Sequence, residues 1–207
     1  MYLDGAAIGM KRALFVAIMK LTNAMELGVK RFLNRLRAAS PAGQETCWCP
    51  LCRADMMALA LSSLPPRYAT RRPWDIEADA HLAESLGAQV TRAVRHVELF
   101  PKHPSGGALE ATEPVWIVNF PLEEGFRAIE PLIRSREDVC DCWQCRCDVV
   151  AFALNRYPPR YGVERGGHTH LREVDRDQMR SELASFLELA IGIVSKVPRH
   201  ELSTATI

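Results

Sequence analysis

A chain of 207 residues, 48% of them hydrophobic, can bury a sizeable core as one domain or as two small ones. Its 26 Lys and Arg against 25 Asp and Glu leave a formal charge of +1, which excludes a long-range field drawing the chain to DNA or to an anionic membrane. A specific anionic ligand held by local arginines stays open.

The first stretch, "MYLDGAAIGMKRALFVAIMK", does not read as a signal peptide. Asp4 comes early, and the apolar run Ala13–Met19 is short and lacks a cleavage context. Nothing approaches about 18 consecutive apolar residues, so no membrane span is expected and the protein reads as cytoplasmic. Ala7, Met10, Leu14, Ile18, Leu21, Met25, Val29, Phe32 and Leu36 step by three or four. That stripe predicts one long helix, or two meeting at a cap near Thr22-Asn23. Residues 1–21 are therefore read as an extra N-terminal helix, either covering core or serving as an amphipathic partner-binding arm.

Next comes "CWCPLCRADMMALALSSLPPRY" (Cys47–Tyr68), which returns 93 residues later as "CDCWQCRCDVVAFALNRYPPRY" (Cys140–Tyr161), identical at 12 of 22 positions without a gap. The repeat extends both ways at a shift of 97. Met25–Leu36 matches Leu122–Ile133, and the apolar face Leu82, Leu86, Val90, Ala93, Val94, Val97 matches Met179, Leu183, Leu187, Ala190, Ile191, Val194. Both long helices close alike, on Pro101-Lys102-His103 and Pro198-Arg199-His200. Each unit thus reads as helix, cysteine loop, short apolar helix, Pro-Pro-Arg-Tyr, long amphipathic helix. The first unit spans residues 22–104 and the second 117–203, with a Pro- and Gly-rich linker at 105–116 and a tail at 204–207. "PVWIVNF" (Pro114–Phe120) is partly β-branched and predicts an extended segment whose partner is not visible. The four-residue difference between shifts is placed in the glycine-bearing loop Glu164–His170.

Six of the seven cysteines form two C-x-C-x-x-C sets: Cys47, Cys49, Cys52 and Cys140, Cys142, Cys145. Three sulfurs within six residues converge on one ion if the backbone folds tightly, and zinc suits thiolates held tetrahedrally. The expectation is about one zinc per unit; reduced buried cysteines or a redox pair are the other reading. Cys52 and Cys145 fall where a helix begins, where the helix dipole lowers a thiol pKa. A closed site needs a fourth ligand. Asp55 and Asp148, three residues past the last cysteine, share its face, but stabilising a helix start is the preferred role for them. His103 and His200 are further candidates, read first as ordinary helix-end residues. Cys147, the leftover, is expected to face elsewhere.

Pro-Pro stops the apolar helix and fixes the direction of Arg67-Tyr68 and Arg160-Tyr161. An arginine fork and an aromatic face suit a nucleotide; an arginine capping carbonyls beside a half-buried tyrosine is the equal alternative. No nucleophile–base pair, phosphate-cradling glycine loop or carboxylate pair stands out, so no enzyme is expected, and no basic recognition helix points to direct nucleic-acid binding.

The pattern C-x-C-x-x-C-R-x-D-x-x-A-x-A-L-x-x-x-P-P-R-Y, followed by a helix ending in Pro-Lys/Arg-His, resembles the late competence development protein ComFB family, here in two tandem copies. The resemblance implies a mostly α fold that dimerises and binds zinc through the cysteine loop. It also implies a non-enzymatic receptor for a cyclic dinucleotide, c-di-GMP or c-di-AMP, acting through a protein partner. With two units in one chain, the implied dimer becomes an intramolecular pseudo-dimer. Arg67, Tyr68, Arg160 and Tyr161 are the ligand-binding candidates, chosen by their chemistry. The alternative function is a zinc-stapled protein-interaction or transcription-associated adaptor with no small ligand. Ser62-Ser63 against Asn155-Arg156, and Leu64 against Tyr157, set the two copies apart.

Overall fold

The structure, a computed structural model, describes residues 21–41, 46–70, 80–103, 114–165 and 173–198. The N-terminal helix expected over residues 1–21 lies outside these, apart from Leu21. Among the described residues each unit has three helices, as the repeat predicts, and one short strand pair, of which the sequence anticipates only the extended Pro114–Phe120 segment. The first unit runs β1 (Thr22–Asn23), α1 (Ala24–Ala39), α2 (Pro50–Ser62), β2 (Tyr68–Ala69) and α3 (Ala80–Leu99). The second runs β3 (Val115–Asn119), α4 (Phe120–Arg134), α5 (Trp143–Leu154), β4 (Tyr161–Arg165) and α6 (Glu173–Val194). The fold is mostly helical, with two tandem copies.

Local chemistry sets the helix starts. Asn23 caps α1, its side chain accepting from the N–H of Met25, and Asn119 caps α4 by accepting from Leu122. The break in the stripe near Thr22-Asn23 is thus a true cap. Cys49 and Cys142 cap α2 and α5, each sulfur accepting from the backbone N–H three residues on. The segment "PVWIVN" finds its partner in β4: β3 and β4 pair antiparallel, Val115 against Arg165 and Asn119 against Tyr161. Strand β3 therefore begins inside the stretch read as linker, and Glu164 and Arg165 of the expected loop are strand. Gly162 belongs to this pairing for a steric reason, since a Cβ there would meet the Phe120 ring at 2.5 Å.

Two hydrophobic cores form, one per unit, and each is joined by a tyrosine from the other. Met25, Val29, Leu33, Met56, Leu61, Leu86 and Val90 make the first core, and Tyr161 packs against it. Phe126, Ile129, Val150, Leu154, Met179, Leu183 and Leu187 make the second, which also takes in Tyr68 and Leu21. The strand arms are thus exchanged: β2 lies on α5, while β3 and β4 lie on α2. This reciprocal crossing builds the pseudo-dimer inside one chain. Tyr68 is buried in the opposite unit and Tyr161 half-buried against it, so the seam is part of the fold and not a loose contact.

Candidate metal centres and the seam

The turn preceding α2 brings the sulfurs of Cys47, Cys49 and Cys52 together, and the irregular segment after α3 delivers His103 to them. All four donor atoms lie within 4.8 Å of one another. His103 Nε2 stands 3.1 Å from Cys52 Sγ. In the second unit Cys140, Cys142 and Cys145 gather in the same way, again within 4.8 Å. Two thiolates 2.3 Å from one tetrahedral ion stand roughly 3.8 Å apart, so both sets can close on a metal with small shifts. All seven cysteines are free thiols, and three sulfurs crowded without bonding are the donor chemistry a thiophilic ion requires. Three cysteines, or three cysteines and a histidine, can therefore hold a metal ion in each unit.

His103, read first as an ordinary helix-end residue, joins the first donor set; His200 lies outside the described residues. Asp55 and Asp148 stay out of both sets. Asp55 instead accepts an ion pair from Lys102 Nζ at 2.7 Å, which ties the segment carrying His103 to the first turns of α2. Asp148 Oδ1 accepts from Thr70 Oγ1 at 2.7 Å, across the units. Cys147 faces the second core and is 2% exposed.

The thiol energetics differ from the dipole argument. Burial and the neighbouring thiols Cys49 and Cys47 push Cys52 up, and burial with Cys142 and Cys140 pushes Cys145 up to about 12. Burial opposes ionisation of Cys49 and Cys142 too. There it is outweighed by the N–H groups of Cys52 and Cys145 and by the adjacent thiols, so these two capping sulfurs fall below the usual thiol range. Each loop thus has, at its helix cap, the thiol that ionises more readily than the last cysteine of its set, and a bound cation would favour the thiolate form of all three.

The Pro-Pro-Arg-Tyr ends do not form free tips. Tyr68 is 4% exposed, and the two tyrosine hydroxyls meet at one side chain. Asn119 Nδ2 donates to Tyr68 Oη at 2.7 Å and to Tyr161 Oη at 2.8 Å. Asn23 Nδ2 donates to Tyr161 Oη at 2.9 Å, and Tyr161 in turn donates to Glu26 Oε1 at 2.8 Å. Burial pushes the Glu26 carboxyl up, against the opposing hydrogen bonds from Tyr161 and Asn119. The arms are pinned by main chain as well: the Ala24 N–H donates to the Arg67 carbonyl at 2.9 Å and the Phe120 N–H to the Arg160 carbonyl at 3.2 Å. Ser62 and Asn155, where the copies differ, turn out to be equivalents in use. Ser62 Oγ accepts from the Tyr161 N–H at 3.0 Å, and Asn155 Oδ1 accepts from the Tyr68 N–H at 2.7 Å. In the sequence Asn23 reads as a cap, Glu26 as part of the repeat and Ser62 against Asn155 as a difference between copies; none of these, nor Asn119, is assigned there to the seam, and an Asn just before each unit's first helix was the available signal.

The chain matches the late competence development protein ComFB over residues 22–100 and 125–198, two segments that fall on the two units. It belongs to the ComFB family. The tandem match fits the internal pseudo-dimer that the exchanged arms build. The search of curated proteins and that of solved structures found no match. Among the described residues no helix is long and apolar enough to cross a membrane.

Proposed function

We propose that this ComFB chain is a non-enzymatic cytoplasmic receptor, stapled by one zinc ion per unit, that binds a cyclic dinucleotide across its seam and signals through a protein partner. The observation that carries the reading is the meeting of both Pro-Pro-Arg-Tyr arms at Asn119. Arg67 and Arg160 each stand one residue before a seam tyrosine, at matching places in the repeat, and their carbonyls accept equivalent main-chain bonds from Ala24 and Phe120, which supports a pseudo-two-fold grip. A cyclic dinucleotide has the matching symmetry, with two phosphates and two bases, and an arginine fork suits a phosphate oxygen pair. Tyr68 and Tyr161 serve the ligand by fixing the arms that present the arginines.

Zinc would be held by Cys47, Cys49, Cys52 and His103 in the first unit. In the second it would be held by Cys140, Cys142 and Cys145, with His200, the repeat counterpart of His103, as fourth ligand. The ion supplies folding energy by locking each helix start to its loop. Reduced thiols suit the cytoplasm. A partner whose affinity differs between free and nucleotide-bound protein would receive the signal by linkage.

Isothermal titration of c-di-GMP and c-di-AMP against wild type, Arg67→Ala and Arg160→Ala tests the ligand. Binding by wild type, weakened at least tenfold in either variant, supports it. No heat with either nucleotide at micromolar protein, while native mass spectrometry shows two zinc ions per chain, would leave the adaptor reading in its place.

A further inference from the structure

The end of α6 carries Leu189, Ile193 and Val197, which are 55%, 42% and 74% exposed. Spaced by four, they form one row running off the helix end. At the repeat shift of 97 the first unit has Arg92, His96 and Phe100 there, so a wholly aliphatic row belongs to the second unit alone. The row borders a cleft of about 310 Å³ with mixed walls: Ala151, Phe152, Ile193, Val194 and Val197 on the apolar side, Asp148, Asn155 and Arg156 on the polar side, and the arm Tyr68–Thr70. The apolar row along one lip of this groove differs from scattered surface aliphatics, and a cover with one apolar and one polar face would suit it.

Where the described chain begins says what that cover is. Leu21 is 1% exposed and sits in the second unit's core with Tyr68, although it precedes the first unit in sequence. Thr22 pairs antiparallel with Ala69. Followed backwards from Thr22, the chain therefore heads in the direction of Thr70, which is a wall of the groove. Twenty residues precede Leu21, with apolar positions at Ala7, Met10, Leu14 and Ile18 in helical steps. As a helix they would span about 30 Å, against roughly 12 Å from Leu189 to Val197, so reach is ample. The tether gives such a segment a millimolar-range local concentration, which any second copy or outside partner must exceed.

We propose that residues 1–20 dock intramolecularly in the α5–α6 groove, apolar face down on the Leu189–Ile193–Val197 row. The cleft shares the Tyr68 arm with the seam, so its test reads amide exchange and uses no nucleotide. Hydrogen–deuterium exchange of the full chain tests it, comparing wild type with a Leu14→Asp/Ile18→Asp double variant. Amides of residues 149–156 and 186–197 should exchange at least tenfold faster in the variant, while residues 24–39 and 80–99 stay unchanged. Ile193→Asp, a change at an exposed position that leaves the core alone, should speed exchange of residues 7–18 to a similar degree. Unchanged groove exchange in the double variant would overturn the proposal. So would groove protection that grows with protein concentration alongside a dimer in sedimentation, since a second copy would then be the occupant.

Discussion

Position 27 of the first unit and position 124 of the second are the same place in the repeat, and they hold opposite chemistry. Leu27 is 45% exposed, whereas Glu124 is fully buried. Glu124 accepts ion pairs from Arg127 at 2.8 Å, Arg176 at 3.0 Å and Arg180 at 2.8 Å, joining α4 to α6. In the first unit that place carries no charge, and its described ties lie elsewhere: His103 joins the donor set, and Lys102 ties the ligand segment to Asp55. Among the described residues, a buried acid that joins the first and third helices is thus particular to the second unit. The shared parts, the cysteine loops and the crossed arms, are those that need both units or an ion. The divergent parts act within one unit, where each copy could change alone.

The metal loops offer the strongest way to break this comparison. With one zinc ion per unit as proposed, Cys52→Ser and Cys145→Ser should each remove one of the two ions, visible in native mass spectrometry, and should melt the affected unit at lower temperature. Structural zinc contributes on the order of 10 kcal/mol of apparent binding energy, so each effect should exceed any other single change. Loss of both ions from one substitution would show that the units do not close independently.

Glu124 comes next. Glu124→Ala leaves three arginines without their shared carboxylate. Removing one side of a buried pair costs about 3–5 kcal/mol. Arg180 and Arg127 are 33% and 45% exposed, and water recovers part of the loss, so about 2–3 kcal/mol is expected by urea unfolding. Leu27→Ala in the first unit should change stability by roughly 0.5 kcal/mol or less. Equal effects would erase the proposed difference between units.

At the seam the two units should respond alike. Asn119→Ala removes the donor that Tyr68 and Tyr161 share and uncaps α4; Asn23→Ala uncaps α1 and frees the Arg67 N–H, which donates to its Oδ1 at 2.9 Å. Each should cost about 2 kcal/mol, measured by thermal or urea melting. A silent Asn23→Ala would mean that only one arm is clamped.

What the sequence made legible follows the same division between local and crossing features. The cysteine spacing, the proline stop and the helical stripes are near-neighbour patterns, so their positions, and the gapless shift of 93 between Cys47–Tyr68 and Cys140–Tyr161, could be read directly. His103 stands 51 residues from Cys52 and reaches it only because α3 packs back along α2, a matter of helix length and angle that residue types do not encode. Its repetition as His200 was the one available hint. The tyrosines were legible as a stiff pair with arginine, but not as residues buried in the opposite unit. An aromatic ring at a free tip and one crossing a seam carry the same local pattern, and only the antiparallel pairing of β3 with β4 and of β1 with β2 decides between them. The thiol shifts likewise turned on which cysteine occupies the cap, Cys49 or Cys52, a difference of three residues in the helix start.

The mildest expected effect probes why the seam is asymmetric at its acids. Glu26 and Glu123 are repeat counterparts. Glu123 pairs with Arg176 at 3.1 Å, whereas Glu26 is held by the neutral donors Tyr161 and Asn119. Burial raises the folded-state pKa of Glu26 above its unfolded value, so the folded protein binds this proton more tightly than the unfolded chain. The stability this contributes is present in full at pH below the unfolded carboxylate range and is lost as pH rises through the raised folded pKa. Above that point the ionised carboxylate weakens the seam. Glu26→Gln keeps an acceptor for the Tyr161 hydroxyl and removes the charge, so it should raise the melting temperature at pH 8 and give no gain near pH 4. The same change at Glu123, which removes a charge already paired with Arg176, should lower the melting temperature at pH 8. Melting curves of both variants across this range read the difference directly. A Glu26→Gln variant no more stable than wild type at pH 8 would mean that the Tyr161 and Asn119 hydrogen bonds already outweigh the burial of that carboxylate.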